Sequence, residues 1–372
     1  MLTGLADIAS VQRIVVKIGS ALLIEAGAPR SQWLGSLVGD LAWLSSQGVQ
    51  VIVVSSGAIA LGAARLGLPK GGRANLADAQ AAAAVGQIQL ADLWSGALRE
   101  HGITAAQMLL TLDDLEDRRR YLNVSATLGR LLSAGTIPVI NENDSVATEE
   151  IRFGDNDRLA ARVAQAVGAD LVLLLSDIDG LYTRDPAQEG AELVPLVEAI
   201  TPDIMAMASS ASSSGLGSGG MRSKLQAAQI ATRAGIALGI ITGKPAAPIS
   251  AAIATGRGTV FQPQRHDGAR KAWLGGRLAP AGELRVDAGC AEALRSGASL
   301  LAPGIVGVSG TFRRGDLVSI VSLKGERLAQ GLAEYDAGEV QLIAGRRADD
   351  QAERLGYAPR AAVIHRDHLV LL

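Results

Sequence analysis

Lys17-Ile18-Gly19-Ser20 places a lysine inside an apolar run, Arg13 to Ile18, and follows it with a glycine and a hydroxyl. An unpaired ammonium is costly to bury. Lys17 must therefore reach the end of its strand, a carboxylate or a ligand phosphate. A lysine snorkelling at a sheet edge gives the same pattern, but Gly19 and Ser20 directly after the run favour phosphate. Ser218-Gly219-Gly220-Met221-Arg222-Ser223-Lys224 is a second basic candidate, with glycines opening a helical pattern. At such a turn backbone amides approach an anion closely, and the helix N-terminus adds positive potential. Lys224, one turn in, reaches the same anion. A linker before an ordinary helix fits the spacing equally well.

Asn141-Glu142-Asn143-Asp144 and Gly154-Asp155-Asn156-Asp157 gather carboxylates and amides. Such groups hold Mg²⁺, orient lysines or bind an ammonium, and they also populate turns for conformational reasons. Two clusters flanking one short excursion between a strand and a helix favour the functional reading.

Other chemistries find no support. The G-x-x-x-x-G-K-S/T phosphate loop is missing, and so is the G-x-S-x-G elbow of a serine hydrolase. Gly215, Gly217 and Gly220 have dinucleotide-loop spacing, but a Ser-rich stretch precedes them and no acidic residue follows about 20 positions on. The four histidines lack zinc-ligand spacing, and His365 and His368, in a terminal strand-like stretch, read as surface residues. Cys290 is the only cysteine, which leaves no intrachain disulfide and no cysteine-rich metal site. A net charge of −2 gives no global attraction to nucleic acid or anionic membrane.

The elements that must position these residues follow from periodicity. Strands are predicted at Arg13–Ile18, Val49–Val54, Ile103–Leu110, Thr136–Ile140, Asp170–Leu175 and Ala237–Ile241. Helices are predicted between them at Ser31–Gln47, Asp78–Glu100, Leu115–Ser133, Arg158–Val167 and Arg222–Arg233. Continuous apolar strands alternating with helices indicate a mostly parallel sheet buried on both faces. Ligands bind such open sheets at the C-terminal strand ends. The polar residues cluster there, after Ile18, Val54, Ile140 and Leu175.

At 372 residues two domains are expected, and 48% hydrophobic against 19% charged residues suits compact domains. Near Gln262 the chain turns polar and basic, then continues in shorter, alternating strands such as Leu317–Val321, Arg327–Ala333 and Ala362–Leu371. Short helices are expected at Ala288–Ser296 and Glu339–Ala344, and the basic pairs Arg313-Arg314 and Arg346-Arg347 as solvated surface. The division predicted is residues 1–262, a linker at 263–279, and a small β-rich domain at 280–372. Residues 208–220 are of low complexity. The first ten residues lack a signal-peptide pattern and the apolar runs are too short for a bilayer, so a cytoplasmic protein is expected.

The segments VVKIGS, VSSGAIALG, AAVGQ, QMLLT, PVINENDSVAT, FGDNDRLAA, LLLSDIDGLYTRDP, GLGSGGMRSKLQAA and ITGKP stand in the order seen in bacterial glutamate 5-kinases. From residue 13 onward the chain resembles that branch of the amino acid kinase superfamily, and its C-terminal region resembles a PUA domain. The resemblance implies a three-layer αβα sandwich with a mostly parallel open sheet, plus a small β-rich PUA domain. It implies ATP-dependent phosphorylation of the L-glutamate γ-carboxylate, the first step of proline synthesis, with proline as inhibitor. Lys17 would contact the ATP phosphates, with Gly19 and Ser20 beside it. Ser56, Asp144 and Asn156 would hold glutamate, and Asp157 would orient Lys17 and Lys224. Ser176, Asp177 and the loop Ser218, Gly219, Gly220, Met221, Arg222, Ser223 and Lys224 would bind nucleotide. Many members have Thr at Ser20, Ser55, Ser176 and Ser218, and the hydroxyl is retained in each. No protein ligand to metal is assigned; Mg²⁺ is expected on the ATP phosphates. A homotetramer, a glutamyl phosphate reductase partner and RNA at the PUA domain are further implications. The rival readings are another carboxylate or carbamate kinase of this fold, and a PUA-containing RNA-binding protein.

Overall fold

The computed structural model describes residues 4–146, 155–208, 220–264 and 280–371. Strand β1 (Arg13–Ile18) lies inside the main sheet, paired in parallel with β2 (Gln50–Ser55) on one side. On its other side it pairs with β5 (Leu171–Ser176), also in parallel. A strand flanked on both edges and covered on both faces needs apolar residues throughout, which is why RIVVKI and LVLLLS read as unbroken runs. With β3 (Ala105–Leu110), β4 (Ile137–Glu142), β6 (Leu196–Val197), β7 (Ala237–Thr242) and β8 (Thr259–Phe261), the order is β6-β8-β7-β5-β1-β2-β4-β3. Only the β7–β8 pairing is antiparallel.

Side chains alternate between the two faces of a strand. On β1, Ile14, Val16 and Ile18 pack with helix α1 (Ser31–Ser46), helix α3 (Leu76–Arg99) and helix α7 (Pro248–Thr255). Val15 and Lys17 must then face the other layer, where α5 (Asp155–Val167) lies against β1 and packs on α6 (Met221–Arg233). The three-layer expectation holds. Helix α2 (Ala58–Leu66), which starts directly after Ser56-Gly57, is not among the predicted elements. Its apolar stretch is too short to show a clear 3.6-residue period.

The helix expected across Leu115–Ser133 is two, Leu112–Glu116 and α4 (Arg118–Ser133). Asp117 interrupts it, its carboxylate accepting the Arg120 N–H at 2.9 Å as a helix cap does.

Residues 1–116 and 124–266 form one compact unit, and 117–123 with 267–372 form the other. The second holds a five-stranded sheet ordered β10-β9-β11-β12-β13, from β9 (Gly282–Val286), β10 (Ile305–Gly310), β11 (Leu317–Val321), β12 (Arg327–Leu332) and β13 (Leu369–Leu371). Leu284, Phe312, Ile320 and Tyr335 lie in its core. The strand expected over Ala362–Leu371 is mostly something else: a single bridge from Ile364 to Leu300, a 3₁₀ turn at Arg366–His368, and only then β13. His368 is buried, with Nδ1 3.6 Å from Glu334 and Tyr121 edge-on to its ring, so it is no surface residue. Arg314 is likewise no solvated residue, because it pairs with Glu334 at 3.2 Å and donates to Asn123 Oδ1 at 2.6 Å. Alternation alone could not show either, since both partners come from distant sequence. No helix among the described residues is long and apolar enough to cross a membrane.

Candidate active site

Lys17 and Lys224 converge on one carboxylate. Lys17 Nζ lies 2.7 Å from Asp157 Oδ1 and Lys224 Nζ 3.0 Å from Asp157 Oδ2, with all three side chains buried. Asp157 is the third residue of α5 and Lys224 lies in the first turn of α6, so the packing of those helices against β1 assembles the triad. Of the alternatives open to Lys17, a carboxylate is what the fold provides, with its ammonium brought back toward Gly19 at the strand end.

Burial pushes the Lys17 ammonium below its usual range; Asp157 opposes this and Lys224 adds to it. Burial would raise the Asp157 carboxyl, yet the two ammoniums outweigh it and hold it below the carboxylate range. Two positive groups share one negative one, so the triad has an excess positive charge in a low-dielectric setting. That excess is what a phosphate would neutralise.

Asn156 faces a second set of partners. Its Nδ2 donates to Ser56 Oγ at 2.6 Å and to Asn141 Oδ1 at 3.3 Å, and Asn141 Nδ2 donates to Gln87 Oε1 at 2.8 Å. Asn156 Oδ1 is buried without a hydrogen-bond partner. Ser56 is fixed from below, because Trp94 Nε1 donates to Ser55 Oγ at 2.9 Å and that hydroxyl donates to the Ser56 carbonyl at 3.2 Å. Gly57 follows at φ 120°, a backbone conformation that residues other than glycine rarely adopt.

Asp144 is buried beside a cavity of about 330 Å³ lined in part by Ala83, Gln87, Ile88, Glu142 and Asn143. Burial lowers the nearby Arg73 guanidinium, with the Asp144 charge acting against it.

The sheet register brings the nucleotide candidates to β1. Ile18 pairs with Leu175, so Gly19 follows β1 beside the strand that ends at Ser176. Ser176 Oγ donates to Asp177 Oδ1 at 3.1 Å, and its carbonyl accepts Gly243 N–H at 2.7 Å. The Ser56 N–H donates to the Ile18 carbonyl at 3.1 Å, joining the two halves of the site. Gly220 caps α6, ahead of Met221, Arg222, Ser223 and Lys224. Ser218, Gly219 and Gly154, the low-complexity residues 209–219 and linker residues 265–279 lie outside the described residues.

Gln87, Trp94 and Arg73 were not singled out from the sequence, and Asn141 was named only as part of a polar cluster. The signal for Gln87 was Gly86, a glycine inside an otherwise Ala-rich helix.

The sequence model of the amino acid kinase family matches residues 12–242, and that of the PUA domain residues 282–355. The chain belongs to the amino acid kinase family, with a PUA domain behind the kinase region. A protein of Novosphingobium aromaticivorans named glutamate 5-kinase is 62% identical over 100% of this chain and 99% of its own. Glutamate 5-kinases of Sphingopyxis alaskensis (58% identical, 98% of each chain) and Zymomonas mobilis (53%, 97% of this chain and 91% of that one) are similar along nearly their whole length. Within the family, then, the chain stands with the glutamate 5-kinases.

Proposed function

We propose that this chain transfers the γ-phosphoryl group of ATP to the γ-carboxylate of L-glutamate, giving L-glutamyl 5-phosphate. The observation that supports it best is the start of α5, where consecutive residues serve different partners. Asn156 joins Ser56 in one subsite, and Asp157 gathers the two lysines in the next. An acceptor held by the first subsite meets a phosphate held by the second.

The acceptor carboxylate is ionised at neutral pH, so no general base is needed. A carboxylate oxygen forms a bond to the γ-phosphorus while the bond to the oxygen bridging to ADP breaks. The difficulty is bringing an anion to a polyanion, and positioning with charge compensation is how phosphoryl transfer is accelerated. Lys17 and Lys224 supply positive charge, Asp157 holds their positions, and the amides at the start of α6 orient the phosphates. Ser176 and Asp177 lie on the nucleotide side, while Ser56, Asp144 and Asn156 hold glutamate, Asp144 as partner of its ammonium.

Both Asp157 oxygens are taken by lysines, and no cluster of three or more His, Cys, Asp or Glu suited to a metal occurs among the described residues. This donor set fits Mg²⁺ carried on the ATP phosphates, where it supplies further charge neutralisation. The division into kinase region, linker and PUA domain, feedback by proline, a homotetramer, delivery of the labile acyl phosphate to a reductase, RNA at the PUA domain and a cytoplasmic location are parts of the same proposal.

ADP release, measured with glutamate, aspartate and N-acetylglutamate in parallel, tests it. Turnover should require glutamate; preference for another acceptor would overturn the substrate assignment. Asp144→Ala should raise the KM for glutamate far more than that for ATP. Equal effects would place Asp144 elsewhere.

A further inference from the structure

We propose that Gln87 is a positioning residue that fixes which end of the Asn156 amide is offered to the substrate. The argument rests on the glutamate subsite proposed above.

A chain of primary amides has a direction. Gln87 Oε1 accepts from Asn141 Nδ2 at 2.8 Å, which leaves Asn141 Oδ1 to accept from Asn156 Nδ2 at 3.3 Å. Asn156 Nδ2 donates also to Ser56 Oγ, at 2.6 Å. With both nitrogen protons used, the polar capacity left on Asn156 is its carbonyl oxygen, buried and without a partner. A buried acceptor left unmatched is costly, and a ligand donor would relieve that cost. The orientation set by Gln87 therefore selects a cationic donor such as an ammonium group. Reversed, the relay would present an N–H pair and favour a carboxylate.

Helix α3 is built to hold this setting. Gln87 and Trp94 are seven residues apart, hence on one face of the helix. Trp94 fastens Ser55 at 2.9 Å while Gln87 reaches Asn141. The same helix thus steadies Ser56 from its own strand and Asn156 through Asn141.

The test uses the full-length enzyme and compares Gln87→Met, which keeps length but makes no such hydrogen bond, with Gln87→Glu, which keeps only acceptors. Gln87→Met should raise the glutamate KM about tenfold, the equivalent of one lost hydrogen bond, and leave the ATP KM in place. It should also narrow the preference for glutamate over glutarate, which lacks the amine. That ratio is internal to each preparation and does not depend on the fraction folded. Gln87→Glu should restore most of both properties. Unchanged discrimination in Gln87→Met, or Gln87→Glu as impaired as Gln87→Met, would overturn the proposal. Asn156→Ala separates the two layers of argument. If it leaves glutamate KM and discrimination unchanged, the subsite itself is wrong; if it alters them while Gln87→Met does not, only the relay is wrong.

Discussion

Asp157 is paired with two buried lysines at once. Replacing it with Asn removes the shared counter-charge of two buried ammoniums, and breaking buried pairs this way typically costs about 3–5 kcal/mol. Urea unfolding of Asp157→Asn should show a loss of that order. Lys17→Ala and Lys224→Ala should instead act mainly on kcat, by roughly 2.7–4 kcal/mol if each resembles a lost donor to a developing negative charge. Near-normal turnover in both would reject the phosphate clamp. Burial holds Lys17 below the ordinary lysine value of about 10.4, so it loses its proton before an exposed lysine would. Across the window between its folded and ordinary values the unfolded chain binds more protons, and stability rises with pH. If Lys17 holds phosphate as proposed, activity has the opposite sign there, because the neutral amine cannot compensate phosphate charge. The alkaline limb of kcat/KM for ATP, which reports the free enzyme, should lie below the exposed-lysine range and move lower still in Asp157→Asn. A lysine in an apolar run announced that some partner existed. By itself it did not name Asp157, which the family resemblance alone supplied, because a contact between residues 17 and 157 depends on which helix covers that face of the sheet.

Among the elements, the crossing of α2 and α3 has the tightest geometry. A Cβ on Gly86 would overlap the Ala58 carbonyl, and one on Gly62 would overlap the Ala82 carbonyl. These glycines let α3, with Gln87, come down on α2, the helix that starts directly after Ser56-Gly57. Glycine inside a helix ordinarily costs about 1 kcal/mol against alanine, so Gly86→Ala in an open helix would stabilise. Here it should destabilise, by roughly 1–3 kcal/mol for overpacking, and raise the glutamate KM as Gln87 is displaced. Denaturant melts and steady-state kinetics check the two parts, and a stabilised variant would refute the reading. The buried parallel strands were legible because their apolar runs are continuous and end in polar residues. Helix α2 was not, nor the turn ahead of β13, since short elements are fixed by tertiary contacts more than by period. Gly86 was visible in the sequence, but its purpose was not, because the carbonyl it accommodates belongs to another helix.

On the scale of the whole molecule, every residue assigned to chemistry lies between Lys17 and Lys224, inside the first compact unit. Gln264 is the last residue with a described tie to that unit, its N–H donating to the Thr232 carbonyl at 2.9 Å. A chain ending there should keep glutamate-dependent ATP turnover. It should also melt below the full-length protein, because residues 117–123 group with the C-terminal residues and would lose Arg118–Asp316 and the Tyr121–His368 contact. Circular dichroism and ADP release decide: a folded but inactive shortened chain would mean that the C-terminal residues contribute to the site. The change of composition near Gln262 announced two domains, whereas the grouping of 117–123 with the second is a long-range fact that local composition cannot carry.

Asn156 and Asp157 are neighbours on one backbone, so their Cα atoms stand about 3.8 Å apart whatever else moves. On the proposed assignment the grips on acceptor and phosphate are two jaws of one bracket, and any tilt of the first turn of α5 displaces both. The two substrates are thereby bound to each other's energetics: by whatever factor the nucleotide sharpens the hold on glutamate, glutamate must return the same factor to the nucleotide.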